Sequence, residues 1–256
     1  MLRLRDFLFW WQRVRISIDR RGMWGTARLT CAKLRLYLTP SGRRERHFDA
    51  IFGTDTSGRI AAFELGVTAP SVRFATEYRP TPIRAFVHIL ERLHLDHREW
   101  VFIDLGAGKG RALLLAAQFP FKRIIGVEFA EDLARTARRN VATCSQSGLK
   151  CPNISVVCQD AAEYRFPSEK LVIYLNNPFR GAVMKSVVER IGQSLLECPR
   201  ELYVVYWNPF CAESLDGAFF LEKSQQGAGY LVYTTTAALR VAPGVVRASK
   251  RHTAER

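Results

Sequence analysis

Apolar residues along this chain fall into two rhythms. Five short, nearly unbroken apolar runs have the length and β-branched content of buried strands: Val101 to Asp104, Arg123 to Glu128, Ile154 to Cys158, Leu171 to Leu175 and Glu201 to Tyr206. Between them apolar residues recur at helical spacing, first Ala112 to Ala117, then Leu133, Ala137 and Val141, then Val183 to Leu196. Strands that alternate with helices predict a parallel sheet with helices on both faces. Gly217 to Lys223 with Gly229 to Thr236 reads as a closing hairpin, which brings the sheet to seven strands. Upstream, Ile83, Phe86, Val87, Ile89, Leu90 and Leu93 mark an amphipathic helix that Thr81 and Pro82 begin.

What each strand ends on adds chemistry to this layout. The first runs VFIDLGAGKGR: it stops at Asp104 and turns through Gly106, Gly108 and Gly110 into a helix, a corner where bare backbone approaches a ligand. A dinucleotide fingerprint, G-x-G-x-x-G, places its third glycine one residue later, and an acid at the strand end repels phosphate. The second strand ends at Glu128, 22 positions after Gly106, suited to a pair of ribose hydroxyls. Asp160 and Ala161 follow the third strand, and Asn176-Asn177-Pro178-Phe179 ends the fourth. Open α/β sheets bind ligands along this one edge. Trp207-Asn208-Pro209-Phe210 repeats the wording of the fourth strand end and reads as a turn bordering the same region.

These residues resemble the class I S-adenosylmethionine (SAM) methyltransferases, whose first motif is similar to D-x-G-x-G-x-G. The resemblance implies a Rossmann-like α/β fold and SAM as cofactor, held by Asp104, Gly106, Gly108, Gly110, Glu128 and Asp160, the last at the adenine edge, with Ala161 beside it. A Glu-Tyr-x-Pro-Thr type segment before the amphipathic helix, then IIGVE and LNNPF, looks like the non-SET lysine methyltransferase branch that includes the disruptor-of-telomeric-silencing enzymes. That similarity covers roughly residues 75 to 210. It adds Tyr78, Thr81 and Asn176 to the expected cofactor contacts, and places Asn177, Pro178 and Phe179 at the methyl-acceptor channel. The chain departs from the branch at Pro178, which brings it closer to the Asn-Pro-Pro-aromatic motif of enzymes that methylate exocyclic or amide nitrogens, although Phe179 stands where that motif has its second proline.

Composition changes the picture at the ends of the chain. Of the net charge of +14, residues 1 to 50 carry +8, residues 51 to 239 only +2, and residues 240 to 256 carry +4. The division expected is a basic N-terminal helical extension and lid over 1–75, a methyltransferase domain over 76–239 and a basic, disordered tail over 240–256. Leu4, Phe7, Trp10, Trp11, Val14 and Ile18 recur near helical spacing among arginines. Such a helix packs on its own domain or a partner, or lies in a membrane surface. Its apolar centre is too short for a transmembrane span or a secretory signal. The six cysteines form no C-x-x-C pair, so no metal site is expected, and reduced thiols point to the cytoplasm, with peripheral membrane contact left open.

Three functions compete at this stage. One is SAM-dependent N-methylation of a protein side chain of the lysine type. A second makes nucleic acid or a small molecule the acceptor, with the basic ends gripping phosphates. The third is a non-catalytic SAM-fold module held at a membrane or in a complex by the N-terminal helix.

Overall fold

The computed structural model describes residues 47–61, 70–144 and 149–240. The chain divides into two compact units, 1–51 and 52–256. Of the first, only residues 47–51 are described, and they are helical. The aromatic, arginine-rich segment near the N-terminus and the basic tail beyond residue 240 lie outside the described residues, as does Cys31.

The second unit is built on a seven-stranded sheet in the order β3-β2-β1-β4-β5-β7-β6. Its strands are β1 Trp100–Leu105, β2 Arg123–Glu128, β3 Ile154–Cys158, β4 Lys170–Asn176, β5 Leu202–Trp207, β6 Leu221–Gly227 and β7 Tyr230–Thr235. The first five are parallel, and β7 inserts antiparallel between β5 and β6. Helices α1 Ile83–Arg92, α2 Arg111–Ala116, α3 Glu131–Cys144, α4 Gly181–Glu197, α5 Ala212–Asp216 and α6 Ala237–Arg240 complete it.

Period-two alternation divides the strand residues between two cores. Val101, Ile103 and Leu105 of β1 join Ile173, Val204 and Tyr206 against Val183, Met184, Val187 and Ile191 of α4. Phe102 and Tyr174 point to the other face, where Phe86 of α1 meets them edge-on at ring separations of 5.8 and 4.9 Å. Helices therefore cover both faces, and β1 is buried along its whole length. The same alternation places Asp104 on the Phe102 face, in register with Tyr174 of β4 and Gly126 of β2. Glu128 lies on that face two residues beyond Gly126.

The helix start expected at Thr81 is formed differently. Pro82 takes the cap position with no side-chain hydrogen bond. Thr81 is buried and shares a hydrogen bond with the Tyr174 hydroxyl, which fastens the entry of α1 to the sheet.

Candidate functional site

The turn after β1 is built by its glycines. Gly106, Gly108 and Gly110 all take left-handed φ, at 82°, 56° and 85°, where a side chain is strained. The N–H groups of Gly106 and Ala107 both donate to Val127 O, at 2.8 and 3.0 Å, which folds the loop over the end of β2. A side chain at Gly106 would collide with Pro178, and one at Gly108 with the ring of Tyr78. Two residues already expected near the ligand therefore lie directly on the loop. Gly110 serves otherwise: it caps α2, faces Ala137 of α3 and is not part of the cleft wall.

The cleft opens at the C-terminal ends of β1 to β4. Asp104, Gly106, Gly108, Glu128, Asp160, Ala161 and Asn176 all line it, with Tyr78, Thr81, Pro178 and Phe179. The Glu128 carboxylate is held from two sides: Oε2 accepts from Gly108 N–H at 2.8 Å and Oε1 from Ala130 N–H at 2.9 Å. An ionised carboxylate offers about four acceptor positions, so this one retains capacity for two hydroxyls of a ligand. Burial pushes Glu128 upward in pKa, against the N–H groups of Ala130, Gly108 and Phe129. Asp104 also rises, to about 8, through burial and the neighbouring Glu128. Two buried acids in one cleft suit a ligand that carries a cation and hydroxyl donors, and oppose a phosphate. Asp160 accepts from Ala162 N–H at 2.9 Å and caps the short turn Ala161–Glu163 at the far end of the cleft.

Sequence reading missed the strap that braces the loop from outside. Asp55, Thr56 and Ser57 sit in a segment legible only as rich in turn formers. The buried Arg111 donates from Nε to Thr56 Oγ1 at 2.7 Å and from Nη2 to Ser57 Oγ at 3.0 Å. Lys109 donates to Asp55 Oδ1 and to Ser57 O, at 2.8 and 3.0 Å. Asn140 of α3 clasps both parts: its Oδ1 accepts from Asp55 N–H at 2.9 Å, and its Nδ2 donates to Asp55 O and Lys109 O, each at 2.9 Å. The Tyr78 hydroxyl adds a bond to Thr56 O at 2.7 Å. A conspicuous GKGR after the strand was the available signal for Lys109 and Arg111, but their partners lie more than 50 residues upstream.

The end of β4 divides the site. Asn177 takes a left-handed φ of 45° and turns the chain so that Pro178 and Phe179 face the cleft. The segment around Thr76 pairs with this turn: Thr76 N–H donates to Pro178 O at 3.0 Å, Arg180 N–H to Phe74 O at 2.9 Å, and the Thr76 hydroxyl to Asn177 O. The Asn177 carbonyl thus has an internal partner. Asn177 lines a second hollow, with Arg73, Arg180, Gly181 and Asn208. Its side-chain Oδ1 is buried with no hydrogen-bond partner. Asn176 lines both hollows and donates from Nδ2 to Arg79 O at 3.1 Å.

Residues 102–195 match a family model described as a methyltransferase domain. The chain carries a class I, SAM-dependent methyltransferase domain. The strand order, with β7 antiparallel beside β5, is the sheet of that class. No curated protein matches the chain. Among solved structures, an RNA methyltransferase from Salinibacter ruber in complex with S-adenosyl-L-homocysteine is 23% identical, over 63% of this chain and 94% of that one, at TM-score 0.43. A SAM-dependent methyltransferase from Aquifex aeolicus is 15% identical over 61% and 94%, at 0.45. A precorrin-6y C5,15-methyltransferase from Geobacter metallireducens is 16% identical over 64% and 94%, at 0.46. Likenesses of that degree decide nothing about the substrate of this methyltransferase.

The methyltransferase cleft fits SAM by its donor set. All three acids line the cleft, where Glu128 could accept from ribose hydroxyls, Asp104 could pair with an ammonium group and Asp160 could accept from an exocyclic amino group. Among the described residues no cluster of His, Cys, Asp and Glu could hold a metal. Among those residues, too, no helix is long and apolar enough to cross a membrane.

Proposed function

We propose that this methyltransferase transfers the methyl group of SAM to a nitrogen of a protein side chain of the lysine type, as the non-SET lysine methyltransferase resemblance implies. The observation that carries the reading is the Asn177 amide oxygen, buried without a partner beside the shared residue Asn176. An orphaned acceptor of this kind costs about 1 to 3 kcal/mol, and an N–H group of the acceptor offsets that cost.

When bound, SAM supplies an electrophilic methyl on a sulfonium, and the chain's own residues set the geometry around it. The glycine loop, Tyr78 and Pro178 hold the cofactor side in place. Asn176 and Asn177 accept N–H groups on the acceptor side and aim the nitrogen lone pair. Phe179 is buried at the cleft wall, where it excludes water and presents apolar surface. An acceptor lysine must first lose a proton, at a cost of about 4 to 5 kcal/mol near pH 7 from its reference pKa of about 10.4. Arg73 and Arg180 beside the second hollow lower that cost, since like charges disfavour the ammonium form.

The test is transfer of labelled methyl from SAM into a cell lysate, split between protease and nuclease treatment. Label lost to protease and recovered as methyl-lysine supports the reading. Label lost to nuclease alone replaces it with the nucleic-acid reading.

A further inference from the structure

The second hollow holds more positive charge than the fold requires. Arg79 is paired with Glu77, which also lies 3.9 Å from Arg59. Arg73 and Arg180 have no carboxylate within ion-pair distance among the described residues. Each is instead stacked on an aromatic ring, Arg73 over Phe74 and Arg180 over Phe210, both at 4.8 Å. Stacking holds a guanidinium in one plane while leaving its N–H groups free to bind. The hydrogen bond from Arg180 N–H to Phe74 O ties the two arginine-bearing segments together. Arg180 also caps α4, whose first turn has neither a side-chain cap nor an acid, so its open N–H groups add to the positive field at the hollow.

We propose that Arg73 and Arg180 bind a carboxylate next to the acceptor lysine, so that the enzyme selects lysines flanked by Asp or Glu. This rests on the protein-lysine reading above and narrows it. Planar guanidiniums match a carboxylate in paired N–H···O bonds. The hollow asks for both kinds of partner at once, because the orphaned Asn177 Oδ1 needs an N–H donor while the arginines need an acceptor. A lysine beside an acidic residue brings both. A nucleic-acid backbone brings chiefly anionic acceptors, and it is better met by an extended basic stripe than by two arginines in a hollow that Glu77 also lines.

The experiment uses the full chain and three synthetic peptides, each with one lysine, flanked on both sides by Glu, by Gln or by Arg. Methyl-lysine formation is followed by mass spectrometry, and peptide binding by fluorescence anisotropy with S-adenosylhomocysteine present. The Glu-flanked peptide is expected to exceed the Gln-flanked one by about tenfold or more in kcat/KM and in affinity. In Arg73→Glu/Arg180→Glu the order should invert toward the Arg-flanked peptide, with wild-type SAM affinity reporting an intact fold. Equal binding and methylation of all three peptides would overturn the inference and leave the lysine reading standing. Absence of binding to any peptide, with methyl transfer only to RNA or DNA in the parallel lysate experiment, would remove both.

Discussion

The ring of Tyr78 stands where a side chain at Gly108 would be, and its hydroxyl reaches past the loop to Thr56 O at 2.7 Å. Three segments far apart in sequence therefore meet on one glycine. Gly108→Ala must both adopt a left-handed conformation, at about 1 to 2 kcal/mol, and displace the ring. We expect SAM affinity to fall by about tenfold or more in calorimetry. Tyr78→Phe keeps the ring and loses one hydrogen bond, so stability in denaturant should drop by only about 1 kcal/mol.

Arg111 anchors the strap from a fully buried position. Arg111→Ala removes its bonds to Thr56 and Ser57 and leaves both hydroxyls to find new partners. Urea denaturation should show a loss of about 3 kcal/mol. Limited proteolysis should cut faster within residues 55–61, and unchanged cleavage there would contradict the anchoring role.

The two buried acids give the ligand-free protein a defined pH dependence. Asp104 rises from 3.8 to about 8 on folding, and Glu128 shifts the same way. A raised carboxyl pKa means that the folded state binds protons more tightly than the unfolded chain. The associated stability is full below the unfolded pKa and is lost as pH climbs through the folded one. The melting temperature without ligand should therefore fall between about pH 5 and 8.5, and less steeply in Asp104→Asn. SAM binding near neutral pH should release protons, seen as a calorimetric enthalpy that varies with the ionisation heat of the buffer. A melting temperature that rises with pH over this range would contradict the assignment.

Much of the fold is legible because its central strands are buried on both faces. Strand β2, buried from Ile124 to Glu128, lies where its apolar run predicts it, as does the more exposed edge strand β3, and the closing hairpin is found as β6 and β7, with β6 beginning at Leu221 rather than Gly217. Short α5 and the turn Pro70–Phe74 leave no periodic signal, being too brief to show one. The site divides in the same way. Asp104, Glu128 and Asp160 are visible as acids at strand ends, since topology alone brings strand ends together. The strap at Asp55 to Ser57 is invisible locally, because its meaning lies in Lys109, Arg111 and Asn140. That Asn176 lines both hollows and Asn177 only the second goes with the left-handed φ of Asn177, which the pair of letters does not show.

Asn177→Gly isolates the side chain from the backbone, because glycine retains the left-handed turn. Single-turnover methylation should slow by about tenfold or more while the Kd for SAM stays near the wild-type value. Equal loss of binding and rate would instead make Asn177 a cofactor contact.

The account rests most heavily on Glu128, the carboxylate held by Gly108 and Ala130 at the end of β2. Titration calorimetry of SAM into the wild type and Glu128→Ala tests it directly. The wild type should bind one SAM per chain, and the variant should bind about 100-fold more weakly or not at all, as expected on losing two charge-assisted hydrogen bonds. A folded variant that binds SAM with wild-type affinity would place the cofactor elsewhere and contradict the site.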